Sequence, residues 1–326
     1  MKVAILDDYF DTLRSLECFG LLADHDVTVL TRHVDSVDEL ARLLEGVGAL
    51  VLIRERTAVT AQLLERLPDL ELISQRSVFP HVDVDACTRL GVLLCSDLHA
   101  ATASVAAAEL TWALVLAASR QIPAQAASLR AGTWQSGVGR SLSGRTLGVY
   151  GYGRIGRVVA GYGAAFAMRV VVWSNESSRE RARADGVAVA VTRDELFEGS
   201  DVLTVHLRLV DATRGVISAR DLGLMKPDAL FVNTSRAGLV EPGALVEALR
   251  AGRPGGAAVD VFDTEPLTDP ADPLVSLEGV IATPHIGYVT REEWELQFRD
   301  VFRQVNDYAA GSPTNAVNPE ALLRRP

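Results

Sequence analysis

The sequence predicts an α/β protein with two doubly wound parallel-sheet domains, one inserted into the other. Short apolar runs alternate with segments of helical periodicity along almost the whole chain, which is typical of parallel sheets covered by helices on both faces. The runs form two series, separated by a long helical segment. The 326 residues also exceed what one hydrophobic core usually contains.

The first series predicts a domain at the start of the chain. Its apolar runs are Val3–Leu6, Val27–Leu30, Ala49–Ile53, Leu72–Ser74 and Val92–Cys95. Helical spacing of apolar residues predicts helices over Val37–Leu44 and Ala61–Leu67. The first run is too short for a secretory signal and ends in acidic residues, so we expect it to be a buried strand.

The second series predicts six strands, the number found in a dinucleotide-binding fold. Its runs are Thr146–Tyr150, Arg169–Trp173, Val202–His206, Leu230–Asn233, Ala257–Val261 and Val280–Ala282. A long helix over Thr102–Arg120 precedes the series, and a last helix over Trp294–Ala309 follows it. We expect the last helix to return to the first domain. Residues 1–100 and 291–326 would then form one discontinuous domain, and residues 101–290 the inserted one.

The composition argues against several classes of protein. The net charge of −10 disfavours binding to nucleic acid or to anionic membranes. The apolar segment Val105–Ser119 is too short to span a bilayer, so we expect no membrane association. Cys18, Cys87 and Cys95 show no metal-ligand spacing, which predicts reduced, packed cysteines in a cytoplasmic protein without a metal site.

A glycine-rich motif follows the first strand of the second series. It consists of Gly151, Tyr152, Gly153, Arg154, Ile155 and Gly156. The motif alone is weak evidence, but it follows the apolar strand Leu147–Tyr150 and opens a helical pattern over Val158–Phe166. In that context Gly151 permits a tight turn, Gly153 lets the backbone approach a pyrophosphate, and Gly156 lets helix and strand pack closely. The motif therefore predicts a Rossmann domain that binds NAD or NADP at a helix N-terminus.

The residues after the next strand leave the choice between NAD and NADP open. An NAD site usually has an acidic residue here for the ribose hydroxyls, whereas this strand ends at Ser174 and Asn175, with Glu176 one position later. Without that acid the main barrier to a 2′-phosphate is missing, and Arg179 could help to bind the phosphate. Alternatively, Ser174 and Asn175 bond the hydroxyls of NAD.

Three segments at predicted strand ends combine charged residues with glycine, proline or small residues. They are Asn233–Gly238, Asp260–Pro266 and Thr283–Gly287. Ligands of an open parallel sheet bind at the carboxyl ends of its strands. We therefore expect Arg236, Glu265 and His285 to converge beside the nicotinamide.

These segments resemble those of the D-isomer-specific 2-hydroxyacid dehydrogenases, a family that includes phosphoglycerate dehydrogenase and hydroxypyruvate reductase. The similarity covers nearly the whole chain. It also includes Ala108–Glu109, Trp134, the glycine motif, Asp201–His206, Thr213–Gly215 and Met225–Pro227. The resemblance implies a homodimeric oxidoreductase with a flavodoxin-like substrate domain. It would transfer a hydride between NAD(P) and a D-2-hydroxy acid or 2-keto acid.

The resemblance implies a role for each of the three charged residues. Arg236 would bind the carboxylate and carbonyl of the substrate, because a guanidinium offers planar paired donors. His285 would exchange a proton with the substrate oxygen, and Glu265 would hold the other ring nitrogen and the charged form of the ring. Asp260 would bond the nicotinamide. Further implied cofactor contacts are His206, Leu207, Arg208, Thr213, Thr234, Ser235 and Gly287.

The expected substrate loop departs from the family pattern. Relatives carry a glycine-rich loop whose N–H groups hold the substrate carboxylate, whereas the segment Gln75–Asp83 has lost these glycines. We expect Ser77, Val78 and Phe79 to contact the substrate. One hypothesis is that Phe79 and His81 reshape the pocket, so that the substrate is not an ordinary small keto acid. The alternative is a rigidified loop with the same two N–H groups.

Two further arginines have two interpretations each. Arg54 matches a position whose residue often faces the substrate in this family, but it could equally form a surface salt bridge. Arg208 replaces a proline that is frequent in the family; it could favour a phosphate near the adenosine, or point into solvent.

Two other functions are compatible with parts of the sequence. A non-catalytic dinucleotide-sensing regulator would need the cofactor fold but not the three charged residues, so their joint presence argues against it. Oxidation of a small anion, such as phosphite, could use the same scaffold. Formate is disfavoured by Glu265, because formate enzymes of this superfamily generally carry glutamine there.

Overall fold

The computed structural model describes residues 1–97 and 105–324. The chain divides into two compact units. Unit 1 comprises Met1–Thr102 and Thr290–Pro326, and unit 2 comprises Ala103–Val289. Unit 1 is therefore discontinuous in sequence, and unit 2 is inserted between its two parts.

The strands and helices alternate along the described residues. The strands are β1 (Lys2–Ile5), β2 (Asp26–Val29), β3 (Ala49–Val51), β4 (Leu72–Arg76), β5 (Leu93–Asp97), β6 (Thr146–Tyr150), β7 (Arg169–Trp173), β8 (Ala188–Val189), β9 (Val202–Val205), β10 (Leu230–Asn233), β11 (Gly256–Val259) and β12 (Val280–Ala282). The α-helices are α1 (Val37–Leu43), α2 (Ala61–Leu64), α3 (Val84–Arg89), α4 (Ala106–Ser119), α5 (Ile122–Arg130), α6 (Arg154–Ala165), α7 (Glu176–Ala184), α8 (Arg193–Gly199), α9 (Ala219–Leu224), α10 (Ala244–Arg250), α11 (Pro273–Ser276) and α12 (Arg291–Ala309). Short 3₁₀ turns lie at Leu13–Ser15, Glu17–Leu22, Asp211–Thr213, Ala237–Leu239 and Pro319–Arg324.

Unit 1 contains a parallel sheet with the order β2-β1-β3-β4-β5, which is the flavodoxin-like order. The predicted strands of the first series are confirmed, with ends that shift by one or two residues. Helix α12 lies against β4, and the hydroxyl of Ser74 donates to the carbonyl of Val301 over 2.8 Å. The parallel sheet and its apolar core place the carboxyl ends of all five strands along one edge.

Helix α12 begins earlier than the sequence pattern predicted. The expected start was Trp294, whereas the helix begins at Arg291. Its first turn is charged and lacks apolar periodicity, so the pattern could not show it. The hydroxyl of Thr290 accepts a hydrogen bond from the Glu293 N–H over 3.2 Å and caps the helix.

Unit 2 contains a parallel sheet with the order β12-β11-β10-β9-β6-β7-β8. Read from β8 to β11, this is the six-strand order of a Rossmann fold, and β12 adds one further strand beside β11. The predicted count of six strands is wrong, because β8 was missed. A strand of two residues, Ala188–Val189, is too short to produce a recognisable alternation of polar and apolar residues.

Helix α4 belongs to the core of unit 2. Its buried face includes Ala108, Trp112 and Val115, and the Trp112 indole donates to the carbonyl of Val159 over 3.1 Å. The predicted helix Thr102–Arg120 is thus found from Ala106 onward, while its first three positions lie outside the described residues. This packing supports the interpretation of the apolar run as core.

All three cysteines are buried and unpaired. Burial is the main cause that raises the pKa of Cys18, Cys87 and Cys95 to about 12, so these thiols stay protonated and unreactive. No helix in the described part of the chain is long and apolar enough to cross a membrane. The same residues contain no cluster of His, Cys, Asp or Glu that could hold a metal ion.

Candidate active site

The turn between β6 and α6 requires glycine at two of its positions. Gly151 has a φ of +104°, and a Cβ there would lie 2.5 Å from the carbonyl oxygen of His206. A Cβ at Gly156 would lie 2.1 Å from the carbonyl oxygen of Gly151. Both distances are shorter than any tolerated contact, so the strand, the turn and the helix can approach this closely only without side chains.

The second glycine of the motif, Gly153, faces open space. A Cβ at Gly153 would have no other atom within 4 Å. Helix α6 begins at this point without a side-chain cap and without an acidic residue in its first turn. Its first N–H groups and its dipole are thus available to an anion. These features fit the pyrophosphate of a dinucleotide.

The remaining motif residues support the turn. Tyr152 is buried, and its hydroxyl donates to Asp185 over 3.0 Å; burial and then this carboxylate raise its pKa. Ile155 packs against the core of unit 2, and Arg154 is exposed. Of these three side chains, Arg154 is the exposed one.

The end of β7 carries a compact charged cluster. The Asn175 side-chain oxygen caps α7 by accepting from the Ser178 N–H over 3.0 Å. The Arg179 guanidinium stacks 4.3 Å from the centroid of the Trp173 indole and pairs with Glu176. Ser174, the first residue after β7, is partly buried. Asn175 therefore serves as a helix cap, and Arg179 is already paired with an acid.

The loop after β9 holds the next group of predicted cofactor contacts. His206 bonds the hydroxyl of Thr204 over 2.9 Å, and burial lowers its pKa to about 4, so the ring is neutral near pH 7. The Thr213 hydroxyl donates to the carbonyl of Arg208 over 2.6 Å and closes the loop. Leu207 packs against the core, while Arg208 is exposed.

The loop after β10 positions Arg236. The Asn233 side chain donates to the carbonyl of Arg236 over 3.0 Å, and the Ser235 hydroxyl donates to the carbonyl of Val205 over 2.8 Å. The Arg236 guanidinium also donates to the carbonyl of Ser235 over 2.7 Å. The Thr234 hydroxyl meets that of Thr111 over 2.7 Å. Both the backbone and the guanidinium of Arg236 are thus held in place.

His285 and Glu265 form a hydrogen-bonded pair. The His285 Nδ1 atom lies 2.6 Å from the Glu265 Oε2 atom, and the Phe262 N–H donates to Oε1 over 2.9 Å. Partial burial alone would raise the pKa of Glu265. The hydrogen bond and charge of His285, the Phe262 N–H and the charge of Arg236 lower it overall.

The low pKa of Glu265 fixes the protonation of the pair. An ionised carboxylate can only accept, so Nδ1 of His285 must carry a hydrogen. The Nε2 atom is then the ring nitrogen that can exchange a proton with a ligand. The charge of Arg236 also acts on Glu265. The convergence of the three residues beside a nicotinamide stays a prediction.

Asp260 anchors the loop that carries His285. Its carboxylate is completely buried and accepts from the Thr283 hydroxyl over 2.6 Å, from the Ile286 N–H over 2.9 Å and from the Gly287 N–H over 2.8 Å. His285 itself has a φ of +52°, a conformation that costs free energy in residues other than glycine. The sequence did not reveal this anchor, although Thr283, Ile286 and Gly287 all belong to one recognised motif. A contact of Asp260 with the nicotinamide stays a prediction.

The predicted substrate-binding residues of unit 1 lie at the carboxyl ends of β3 and β4. Arg54 has a φ of +57°, and its Nε atom lies 3.5 Å from a carboxylate oxygen of Glu55. Ser77 has a φ of +80°, Val78 is exposed, and Phe79 packs against the core of the unit. Left-handed conformations in two of these residues are typical of functional loops.

His81 follows in the same loop. Both of its ring nitrogens are buried without a hydrogen-bond partner in the described part of the chain. The pKa of His81 is lowered, mainly by burial. The negative charge of Glu55 raises this pKa, and the positive charge of Arg54 lowers it further. His99, the other histidine considered for the pocket, lies outside the described residues.

Comparisons with known proteins match most of this chain. The sequence-family model described as D-isomer specific 2-hydroxyacid dehydrogenase, NAD binding domain, matches residues 112–287. A glyoxylate reductase from Aeropyrum pernix is 38% identical over 299 residues, which are 88% of each chain. A D-3-phosphoglycerate dehydrogenase from Mycobacterium tuberculosis is 40% identical over 297 residues, which are 89% of this chain and 55% of the relative. The chain thus spans just over half the length of that relative.

Solved structures extend the similarity to the whole fold. A candidate D-3-phosphoglycerate dehydrogenase oxidoreductase from Ralstonia solanacearum has a TM-score of 0.95 and 52% identity, with 100% of both chains covered. A phosphoglycerate oxidoreductase from Vibrio cholerae has a TM-score of 0.91 and 47% identity, with 95% of this chain and 99% of the other covered.

Proposed function

Because this chain belongs to the D-isomer-specific 2-hydroxyacid dehydrogenase family, and so transfers a hydride between NAD(P) and a 2-hydroxy acid or 2-keto acid, we propose that Arg236, Glu265 and His285 are its catalytic residues. The observation that carries this proposal is the 2.6 Å hydrogen bond between Nδ1 of His285 and Glu265. It leaves Nε2 as the atom that gives or takes a proton.

The three side chains divide the chemistry between them. The nicotinamide, when bound, donates or accepts the hydride. Arg236 binds the substrate carboxylate and polarises the carbonyl, because its charge and paired donors match both groups. During reduction, Nε2 of His285 delivers a proton to the carbonyl oxygen. During oxidation it removes the proton from the hydroxyl, and Glu265 stabilises the resulting imidazolium.

The cofactor would be held mainly by the glycine turn. The N–H groups at the start of α6 would bind the pyrophosphate. At the end of β7 the acid nearest the strand, Glu176, is neutralised by Arg179 and by Arg183, whose Nη1 atom lies 3.0 Å from Oε1. The barrier that an acid would present to a 2′-phosphate is therefore weakened. We propose that the site admits both NAD and NADP.

The two units would divide the binding of ligands. Unit 2 would bind the dinucleotide and supply the catalytic residues, and unit 1 would bind the substrate carboxylate with the loop after β4. The substrate would be a small D-2-hydroxy acid or its keto acid, in line with the names of the relatives, glyoxylate reductase and D-3-phosphoglycerate dehydrogenase.

A homodimer is proposed from the family and from exposed apolar side chains in unit 2. Leu129, Trp134 and Val138 are 60%, 76% and 91% exposed, and they lie on α5 or in the segment after it. Large apolar side chains exposed along one segment often mark protein interfaces. A cytoplasmic location is proposed because the three cysteines are unpaired, as expected in a reducing compartment.

The proposal is tested with a panel of keto acids and two variants. Glyoxylate, pyruvate and hydroxypyruvate are each supplied with NADH and with NADPH, and the loss of the reduced nicotinamide absorbance is followed. His285→Ala should lower kcat by about 10²- to 10⁴-fold, with cofactor affinity, measured by tryptophan fluorescence, nearly unchanged. The matched control is His25→Ala, at the amino end of β2. Among the described residues, the lost ring bonds only Asn306 and the amino group of Met1. Wild-type turnover in His285→Ala would rule out the assignment.

A further inference from the structure

The loop that follows β4 is fixed by a buried glutamine side chain. We propose that Gln75 is a positioning residue, which turns the N–H groups of Val78 and Phe79 toward the substrate carboxylate. This inference rests on the proposed function, since it assigns the means by which unit 1 would bind that carboxylate. The family resemblance implies glycines in this loop, and Gln75 would replace their effect.

The contacts of Gln75 converge on one short stretch of backbone. The side chain is completely buried. Its Nε2 atom lies 3.1 Å from the carbonyl oxygen of Ser77, 3.4 Å from that of Val78 and 2.9 Å from the Ser96 hydroxyl. The Ser96 hydroxyl in turn donates to the same Ser77 carbonyl over 2.6 Å. Two successive carbonyls are therefore drawn to one buried donor group.

Peptide geometry converts this anchoring into a direction for the N–H groups. In a planar trans peptide the C=O and the following N–H point in opposite directions. The carbonyls of Ser77 and Val78 point at the amide of Gln75, so the N–H groups of Val78 and Phe79 point away from it. Within the part of the chain that the structure describes, neither N–H donates a hydrogen bond.

The conformation of Ser77 completes the arrangement. Its φ is +80°, and its own N–H donates to the carbonyl of Asp97 over 3.0 Å. A left-handed residue beside successive free N–H groups is the backbone arrangement that forms concave anion sites. Two adjacent N–H groups match the two oxygens of a carboxylate. A serine stays in this strained conformation because hydrogen bonds fix the groups on both sides of it.

A purely structural role of Gln75 is the simpler alternative. A second buried amide in unit 1, that of Asn318, provides a comparison for it. Asn318 is also buried. It accepts from the Leu94 N–H over 2.7 Å and donates to the Val92 carbonyl over 3.0 Å. These bonds hold the amino end of β5, whereas Gln75 acts at the carboxyl end of β4. The two strands are parallel, so the two amides act at opposite ends of this strand pair.

The experiment compares Gln75→Met with Asn318→Leu. Each substitution replaces a buried amide with an apolar side chain of similar size. Gln75→Met should raise KM for the best keto acid of the panel at least about tenfold, and kcat should change less. It should also weaken the binding of oxamate, a carboxylate-bearing analogue, in the presence of NADH. Affinity for NADH alone should stay within about twofold, and Asn318→Leu should lower Tm without raising KM.

Ser96→Ala keeps the test informative if Gln75→Met does not fold. It removes only one of the donors to the Ser77 carbonyl, so we expect a smaller rise in KM in the same direction. An unchanged KM and oxamate affinity in both loop variants would overturn the proposal, and so would an equal rise in KM in Asn318→Leu. Absence of turnover by the wild type with every keto acid would instead reject the proposed function.

Discussion

The loops that carry His285 and Ser77 are both anchored by a buried side chain, but the two anchors have opposite hydrogen-bond polarity. Each follows a strand of a parallel sheet, and each contains a residue other than glycine with positive φ. In unit 2 the anchor is Asp260, which accepts from two backbone N–H groups and one hydroxyl. In unit 1 the anchor is Gln75, which donates to two backbone carbonyls.

The polarity of the anchor decides what each loop can offer a ligand. An accepting anchor occupies the N–H groups of Ile286 and Gly287, so the His285 loop presents a side chain. A donating anchor occupies carbonyls, so the loop after β4 presents the N–H groups of Val78 and Phe79. The first arrangement suits proton transfer, and the second suits an anion.

The largest effect is expected from Glu265→Gln, which removes the negative charge beside the His285 imidazole. An amide can donate to Nδ1 as well as accept from it, so the neutral ring can adopt the tautomer that carries its hydrogen on Nε2 and cannot take the proton of the substrate hydroxyl. We expect kcat to fall by about 10²-fold or more. A kcat equal to that of the wild type would contradict this role.

Thermal melts at acidic pH give an independent check on the same variant. The pKa of Glu265 lies below its ordinary value of 4.5, so its interactions stabilise the fold above that pH. This stabilisation is lost as the pH falls through the lowered pKa. The difference in Tm between the wild type and Glu265→Gln should therefore shrink on acidification. A constant difference across the acidic range would show that the ion pair does not contribute.

Asp260→Asn should have the next largest effect, because it breaks the accepting anchor. One of the two oxygens becomes an NH₂ group, and at least one donor among Thr283, Ile286 and Gly287 loses its partner. A buried unsatisfied donor costs about 1–3 kcal/mol, so Tm should fall, and kcat by about tenfold or more as His285 loses its position. Asp263→Asn, a change at an exposed carboxylate in a neighbouring loop, serves as the control. Unchanged kcat in Asp260→Asn would refute the anchoring role.

The two loops also differ in how far the sequence could predict them. His285, Glu265 and Arg236 stand in motifs at strand ends, and the family resemblance implies their roles. Asp260 was noticed, but its contacts depend on the positive φ of His285, which no residue pattern encodes. Around Gln75 the sequence showed only that expected glycines were missing. The donor that replaces them becomes visible only when β4 and β5 lie side by side and bring in Ser96.

The fold shows the same limit at a coarser level. Apolar runs such as Leu230–Asn233 predicted buried strands because burial on both faces requires continuous apolar sequence. Strand β8 gave no such signal, because two residues at the edge of the sheet need little apolar surface. Burial can thus be predicted from the pattern of apolar residues, whereas the direction of individual hydrogen bonds depends on backbone conformation.

Ser77→Gly should have the smallest effect and sharpens the comparison most finely. The Ser77 side chain is not part of the proposed carboxylate site, since Gln75 and Ser96 hold its carbonyl. Glycine adopts a φ of +80° without steric cost, but it also loses more entropy on folding, so stability should change by less than about 1 kcal/mol. KM should stay within about twofold of the wild-type value. A large rise in KM, measured beside the melting curve, would mean that the serine side chain itself contacts the substrate, and the loop would then present more than backbone.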